Sequence, residues 1–225
     1  MRQIIKSKEP KVLLQYRKTA GATYNGFQSV ERMKALRKSL VSEQGGICCY
    51  CMQRIRPTED AMKVEHWHSQ AGHDAEQLDY SNMLAACMGN QGQPKDEQHC
   101  DTLKGNKSLS RNPANLDHRI EHFIKYLGDG RIESSDQELN NQLGKGLSSK
   151  GVLHKGVLNL NRPLFVSNRL SVLDAFRKSL PHDKALTKGK LRTMEKYWGG
   201  RATGIELQPY CGIVVYWVRK RLARA

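Results

Sequence analysis

Between Cys48 and Lys104 the chain gathers five of its six cysteines around a carboxylate–histidine pair. The order is Cys48-Cys49-Tyr50-Cys51, then Val64-Glu65-His66-Trp67-His68, then Asn82 to Cys87, then His99-Cys100-Asp101 and Lys104. Cys48 and Cys51 have the C-x2-C spacing with which one tight turn presents two thiolates to one zinc ion. Cys87 and Cys100 supply a second pair, with His99 as an alternative fourth ligand. Their separation is wide, but the closure entropy of a loop grows slowly with its length. Any fold of this chain must therefore bring three separate segments to one point. Cys49 is left as the spare thiol of the first turn, and Cys211 lies far away in an apolar segment.

The setting favours metal over disulfides. Met1-Arg2-Gln3-Ile4-Ile5-Lys6 lacks the apolar core of a secretory signal, and the longest strongly apolar run, Ile213 to Val218, is far too short to span a bilayer. The expectation is a cytoplasmic protein without a membrane partner, in a compartment where thiols stay reduced. The net charge is +15 and unevenly placed. Residues 1–110 hold 16 Lys/Arg against 12 Asp/Glu, a net +4, and residues 111–225 hold 21 against 10, a net +11. The positive field that would attract a phosphate backbone thus belongs to the second half.

Three further residue types bear on chemistry. Hydrolysis of a phosphodiester needs a deprotonated water and a cation to stabilise charge on the phosphate. A neutral imidazole takes a proton near neutral pH, which suits His66 as general base. A carboxylate holds a hard divalent ion such as Mg2+ or Mn2+, which suits Glu65 and Asp101. In an extended strand His68 would share a face with His66. Asn82 has both donor and acceptor with which to lock the loop that carries His66. Lys104, one helical turn beyond Cys100, is placed to contact phosphate.

Along the chain, Val30, Met33, Leu36 and Leu40 recur at helical spacing from Ser29 to Gln44, and Gly45-Gly46 ends the helix. Residues 74–79 read as a loop, Asn82 to Cys87 as the start of a helix or a buried turn, and Gly89 to Gln98 as an exposed insertion. Phe123 to Ile132 reads as a hairpin turning on Gly128-Asp129-Gly130. Ser167 to Leu180 and Leu191 to Trp198 read as helices. Pro209 to Arg224 is β-rich in composition, but its length, leading Pro209 and basic end at Arg219-Lys220-Arg221 favour a helix. Three segments follow: an arm and helix over 1–46, a motif region over 47–110, and a basic, mainly helical region over 111–225. Arg219, Lys220 and Arg221 are the candidate nucleic-acid contacts there.

Taken together, these residues resemble the HNH, or ββα-metal, endonucleases, whose pattern is C-x2-C, a carboxylate–His pair, an Asn, and C-x2-C-H-x2-K. The likeness extends to Met1-Arg2-Gln3-Ile4, Lys8-Glu9-Pro10, Glu43-Gln44-Gly45-Gly46, Cys87-Met88-Gly89-Asn90, Lys104-Gly105-Asn106 and Leu158-Asn159-Leu160-Asn161. In these the chain is similar to the HNH subunit of Septu-type anti-phage defence systems, also found with retrons. The resemblance implies an α+β, mostly helical fold with a zinc-stabilised ββα-metal core. It implies zinc on Cys48, Cys51, Cys87 and Cys100, with His66 as base, Glu65 as the preceding acid and Asn82 as the middle Asn. It also implies an ABC-type ATPase partner and, in retron versions, a reverse transcriptase with its RNA–DNA hybrid. The substrate would be DNA or a host RNA such as tRNA. Two departures stand out: the last cysteine pair is opened by the insertion, and Asp101 replaces the usual His. Asn106 and His99 are alternatives for that last metal ligand. The competing class is a non-catalytic zinc module that binds nucleic acid or bridges subunits.

Overall fold

The computed structural model describes residues 1–148, 151–181, 186–200 and 206–224. It is a mixed α+β structure with more helix than strand. The first segment contains α1 (Lys11–Tyr16), α2 (Tyr24–Phe27) and α3 (Val30–Glu43). The side chain of Ser29 caps α3 by accepting from Arg32 N, and Met33, Leu36, Leu40 and Val41 form its buried stripe. Val30, expected on that stripe, is 78% exposed, because the first helical turn projects past the core. The helix stops where expected: Gly45 and Gly46 both take positive φ, and Gly46 N donates to Val41 O at 2.9 Å.

The motif region contains β1 (Lys63–His66), β2 (Met83–Ala86) and α4 (Cys100–Lys104). The strands pair antiparallel, with Glu65 opposite Leu84 and His66 opposite Met83. Asn82 to Cys87 is thus neither a helix start nor a mere turn. A 3-10 turn, Tyr80–Asn82, leads directly into β2. Every residue of β2 is buried, which erases the alternation that marks a half-exposed strand. Its outer edge does not go unpaired. The Gln44 amide accepts from Ala85 N at 2.8 Å and donates to Ala85 O at 2.8 Å, so the end of α3 completes the ladder.

Beyond the motif region follow α5 (Ile120–Phe123), the hairpin β3 (Ile124–Tyr126) and β4 (Ile132–Ser134), α6 (Gln137–Leu143), and the short pair β5 (Gly146–Leu147) and β6 (Leu153–His154). Three longer helices come last: α7 (Pro163–Lys178), α8 (Lys188–Gly199) and α9 (Cys211–Leu222). The hairpin lies where it was expected. Helix α7 begins four residues early because Pro163 occupies its first turn. The β-rich run of the C-terminus is helical, and its Ile213, Val214, Val215 and Val218 are buried. Tertiary packing overrides β-propensity there. One hydrophobic cluster draws on all three sequence segments, including Leu36, Leu84, Leu143, Phe165 and Val214. Among the described residues no helix is long and apolar enough to cross a membrane.

Candidate metal and acid–base centre

Four buried cysteines, Cys48, Cys51, Cys87 and Cys100, converge into a cluster able to hold a metal ion such as zinc. Sulfurs bound to zinc at about 2.3 Å stand about 3.8 Å apart in a tetrahedron. Here Cys48 Sγ lies 4.0 Å from Cys100 Sγ, and Cys51 Sγ lies 3.8 Å from Cys87 Sγ. The residues present therefore fit the ion. The first turn closes through Met52 N donating to Cys48 O at 3.1 Å, with Met52 in the left-handed region at φ 67°. Cys100 also takes a positive φ, 52°, and its N donates to Leu158 O at 3.0 Å. Strained backbone at two points of one knuckle indicates that the surrounding structure over-determines it.

His99 lies against the same cluster, its Nδ1 3.3 Å from Cys100 Sγ and 3.8 Å from Cys87 Sγ. Burial, helped by Arg162, pushes its pKa down to about 4, so it is a neutral imidazole beside the sulfurs. Its Nδ1 therefore faces the cluster sulfurs. Asn106 is exposed. The insertion that separates Cys87 from Cys100 is exposed from Gln91 to Glu97, as expected, yet tied down at its base. Buried Asn159 donates to Asp96 O and Gln98 O at 3.3 and 3.0 Å. Gly89 closes the other side at φ 59°, where a Cβ would stand 2.4 Å from His99 O. Cys49 and Cys211 are buried outside the cluster.

On the opposite side of β1 from His66, Glu65 lies in a closed ionic network. Its Oε1 accepts from the Tyr50 hydroxyl at 2.6 Å and lies 2.9 Å from Lys104 Nζ. Lys63 Nζ lies 3.0 Å from Asp101 Oδ2. Burial and the adjoining Asp101 carboxyl push Glu65 well above the usual carboxylate range. Burial also opposes ionisation of Asp101, but the hydrogen bond with Glu65 and the Lys63 ammonium bring it below its ordinary value. Two carboxyls in contact make a donor set that a hard cation can use. Here, however, two ammonium groups already lie against them, and Glu65 is only 2% exposed. An entering ion would meet two positive charges and find no open face at Glu65 for water or phosphate. The pair does not fit an open catalytic metal. Lys104, expected at the surface against phosphate, is instead buried and also donates to His66 O at 3.2 Å. A lysine in a polar stretch defaults to the surface in a sequence reading; only the tertiary partner reveals otherwise.

His66 is 6% exposed and held at both ring nitrogens. Nε2 lies 3.0 Å from Gln77 O, and Nδ1 lies 3.0 Å from Gln70 Nε2. A carbonyl can only accept, so Nε2 carries the hydrogen and Nδ1 carries the lone pair. Burial lowers the pKa of His66, with a contribution from the Lys104 charge, which favours the neutral ring. The Tyr24 ring packs edge-on at 4.6 Å. Asn82 does lock the loop that follows: its Oδ1 accepts from His68 N at 2.8 Å, and its Nδ2 donates to His68 O at 3.0 Å. β1 ends at His66, so the chain turns away and His68 does not continue on the face of His66. Gln77, whose carbonyl sets the tautomer, and Gln70, whose amide occupies the base atom, had no signal in the sequence.

The three basic C-terminal candidates differ. Arg219 is engaged by Glu195 and Glu121, at 2.6 Å each, and is not free for phosphate. Lys220 is exposed, and Arg221 lies over the Trp217 ring at 4.1 Å. Both line a cleft of about 580 Å³ that also presents Arg177, Tyr216 and Arg224. Comparison of the chain with models of known families and with curated proteins finds no match.

Proposed function

We propose that the chain is an endonuclease of HNH type, with zinc on its four clustered cysteines as the structural element. The observation that carries this reading is the held tautomer of His66. The Gln77 carbonyl keeps hydrogen on Nε2, which leaves Nδ1 as the atom able to take a proton from water. β1, β2 and α4 follow one another in the order such a core requires, and the cysteine cluster ties α4 to the turn before β1.

In the proposed reaction Gln70 withdraws from Nδ1 and a water takes its place. Nδ1 removes the water's proton as the oxygen attacks phosphorus, the bond to the leaving oxygen breaks, and that oxygen takes a proton from solvent water, the imidazolium later releasing its own to solvent. Lys220, Arg221 and Arg224 supply positive field beside the aromatic rings of Tyr216 and Trp217, a combination suited to a nucleic-acid strand. The sequence resemblance extends the proposal to a cytoplasmic anti-phage complex with an ABC-type ATPase, acting on DNA or a host RNA.

The decisive experiment isolates the protein with the products of its neighbouring genes and sequences DNA and RNA termini after activation. His66→Ala is expected to abolish new termini, a loss of about 10²- to 10⁴-fold, with zinc content unchanged. Full cleavage by that variant overturns the reading. A second reading, a non-catalytic zinc module, draws on the Gln70 amide that occupies Nδ1. It predicts no termini from either protein.

A further inference from the structure

The loop after β1 gathers a second set of metal-ligating side chains, away from the cysteines. His68, His73 and Glu76 each offer one ligand atom, all within 4.8 Å of one another. Both imidazoles approach the same carboxylate through the same ring atom. His68 Nδ1 lies 2.6 Å from Glu76 Oε2, and His73 Nδ1 lies 3.8 Å from Glu76 Oε1. Ligand atoms about 2.1 Å from a divalent ion stand about 3.0 to 3.4 Å apart. These two separations bracket that range, and the third pair lies within 4.8 Å, so seating an ion draws the two histidines together and tilts their stacked rings toward it.

The three side chains are held rather than loose. The two imidazoles stack with centroids 4.5 Å apart and an interplanar angle of 21°. The Trp67 ring lies 4.3 Å from the His68 ring, tilted by 50°. The buried Asn82 amide grips both ends of the loop: besides its two bonds to the His68 backbone, its Nδ2 donates to Glu76 O at 3.4 Å. One side chain thus sets the spacing between two of the three ligands, as outer groups do in metal sites. Gln77 fastens the next residue, accepting from Tyr24 N at 2.8 Å. A cleft of about 260 Å³, lined by His68 and Glu76 together with Trp67, Ser81, Asn82 and Asn112, lies beside the cluster. It offers room for water or an anion on the coordination positions that the protein leaves open.

We infer that His68, His73 and Glu76 form a site for a divalent transition metal, distinct from the cysteine cluster and open to exchange. Two imidazoles and one carboxylate suit Mn2+, Fe2+, Co2+ or Zn2+ and do not suit Mg2+, which prefers oxygen and keeps its waters. The half-exposed setting contrasts with the buried Glu65–Asp101 pair: an entering ion meets no ammonium group among the three ligands and replaces only the His68–Glu76 contact and its proton. The inference does not rest on the nuclease reading, because occupancy is measurable without substrate.

The test uses the full-length protein carrying its resident zinc and stripped of other metals. Mn2+ is added, and free Mn2+ is followed by electron paramagnetic resonance. A single Mn2+ per chain is expected, undisplaced by an equal concentration of Mg2+. His73→Ala and Glu76→Gln are expected to weaken uptake about tenfold or more. His73 is an exposed loop residue, so His73→Ala is expected to keep the melting temperature and zinc content. Asp101→Asn is expected to bind Mn2+ as the parent does. Absence of uptake beyond the resident zinc overturns the inference, as does uptake unaffected by His73→Ala. Uptake lost in Asp101→Asn but kept in His73→Ala assigns the ion to the carboxylate pair and also overturns it.

Discussion

The two clusters of potential ligands flank opposite ends of the same short sheet, Cys87 following Ala86 at one end and the His68 loop following His66 at the other, and they are built oppositely. The cysteines come from three segments: the turn before β1, the end of β2 and the start of α4. They are buried, and two of them sit beside or within strained backbone. His68, His73 and Glu76 come from one loop and are half exposed or exposed. An unfolded chain cannot present the first set, so binding there is coupled to folding. The second set needs only local order, so an ion can come and go without unfolding the protein. On the proposed reading the first arrangement serves as a frame and the second as an exchangeable site.

The largest effect that can break this comparison comes from the frame. Cys87→Ser is expected to lose the metal and, with it, several of the roughly 10 kcal/mol that a structural zinc contributes in small domains. Metal analysis together with thermal unfolding checks it. Stoichiometric zinc retained in Cys87→Ser would remove the distinction between the clusters. His73→Ala, by contrast, leaves the melting temperature in place.

A smaller effect sharpens the comparison at the residue that bridges the sheet and the loop. Asn82 is 4% exposed and bonds the His68 backbone twice. Asn82→Ala leaves buried backbone groups unsatisfied, a cost of about 2 to 3 kcal/mol. Denaturant unfolding measures that cost, and Mn2+ titration of the same variant is expected to show weakened uptake with zinc unchanged. An Asn82→Ala protein with parental stability would show that the loop holds itself, and the positioning argument would then fail.

The same contrast explains what could be read from the sequence. Cysteines are rare and their spacing is informative, so Cys48, Cys51, Cys87 and Cys100 were identifiable even across the insertion. Asn82 was legible as a backbone lock because an amide has both donor and acceptor. The hairpin was legible from its turn residues and α9 from its length and basic last turn, although Pro209 lies outside the helix, before the N-cap Tyr210. What failed were inferences that extend a local period past its end. His68 was placed beside His66 by strand alternation, but β1 stops at His66, and His68 turns toward Glu76 instead. β2 carried no alternation because both its faces are covered. Lys104 and Arg219 looked like free cations, whereas their partners Glu65, Glu121 and Glu195 lie far away in sequence. Pairing across such distances has no sequence period from which to infer it.

The smallest expected effect concerns the boundary between frame and loop, at His66 itself. Its ordinary pKa is 6.5, and burial and the Lys104 charge lower it, against weaker opposition from Gln77 and Asp101. A base works while neutral, so activity is lost only as pH falls through the lowered value. The acid limb of kcat/KM is therefore expected below 6.5, not above it. The stability consequence has the same sign: between the two values the unfolded chain binds more protons, so acidification through that window destabilises the fold. Gln70 contributes in the same direction, because its amide donates to Nδ1 and that bond exists only with the neutral ring. Gln70→Ala is expected to move the limb back toward 6.5 and, by freeing Nδ1, to raise the rate at neutral pH by a few-fold. A limb above 6.5 in the parent would mean that another group supplies the base. A profile unmoved by Gln70→Ala would mean that the loop leaves His66 before the reaction begins, which would assign the control of the base to whatever moves the loop.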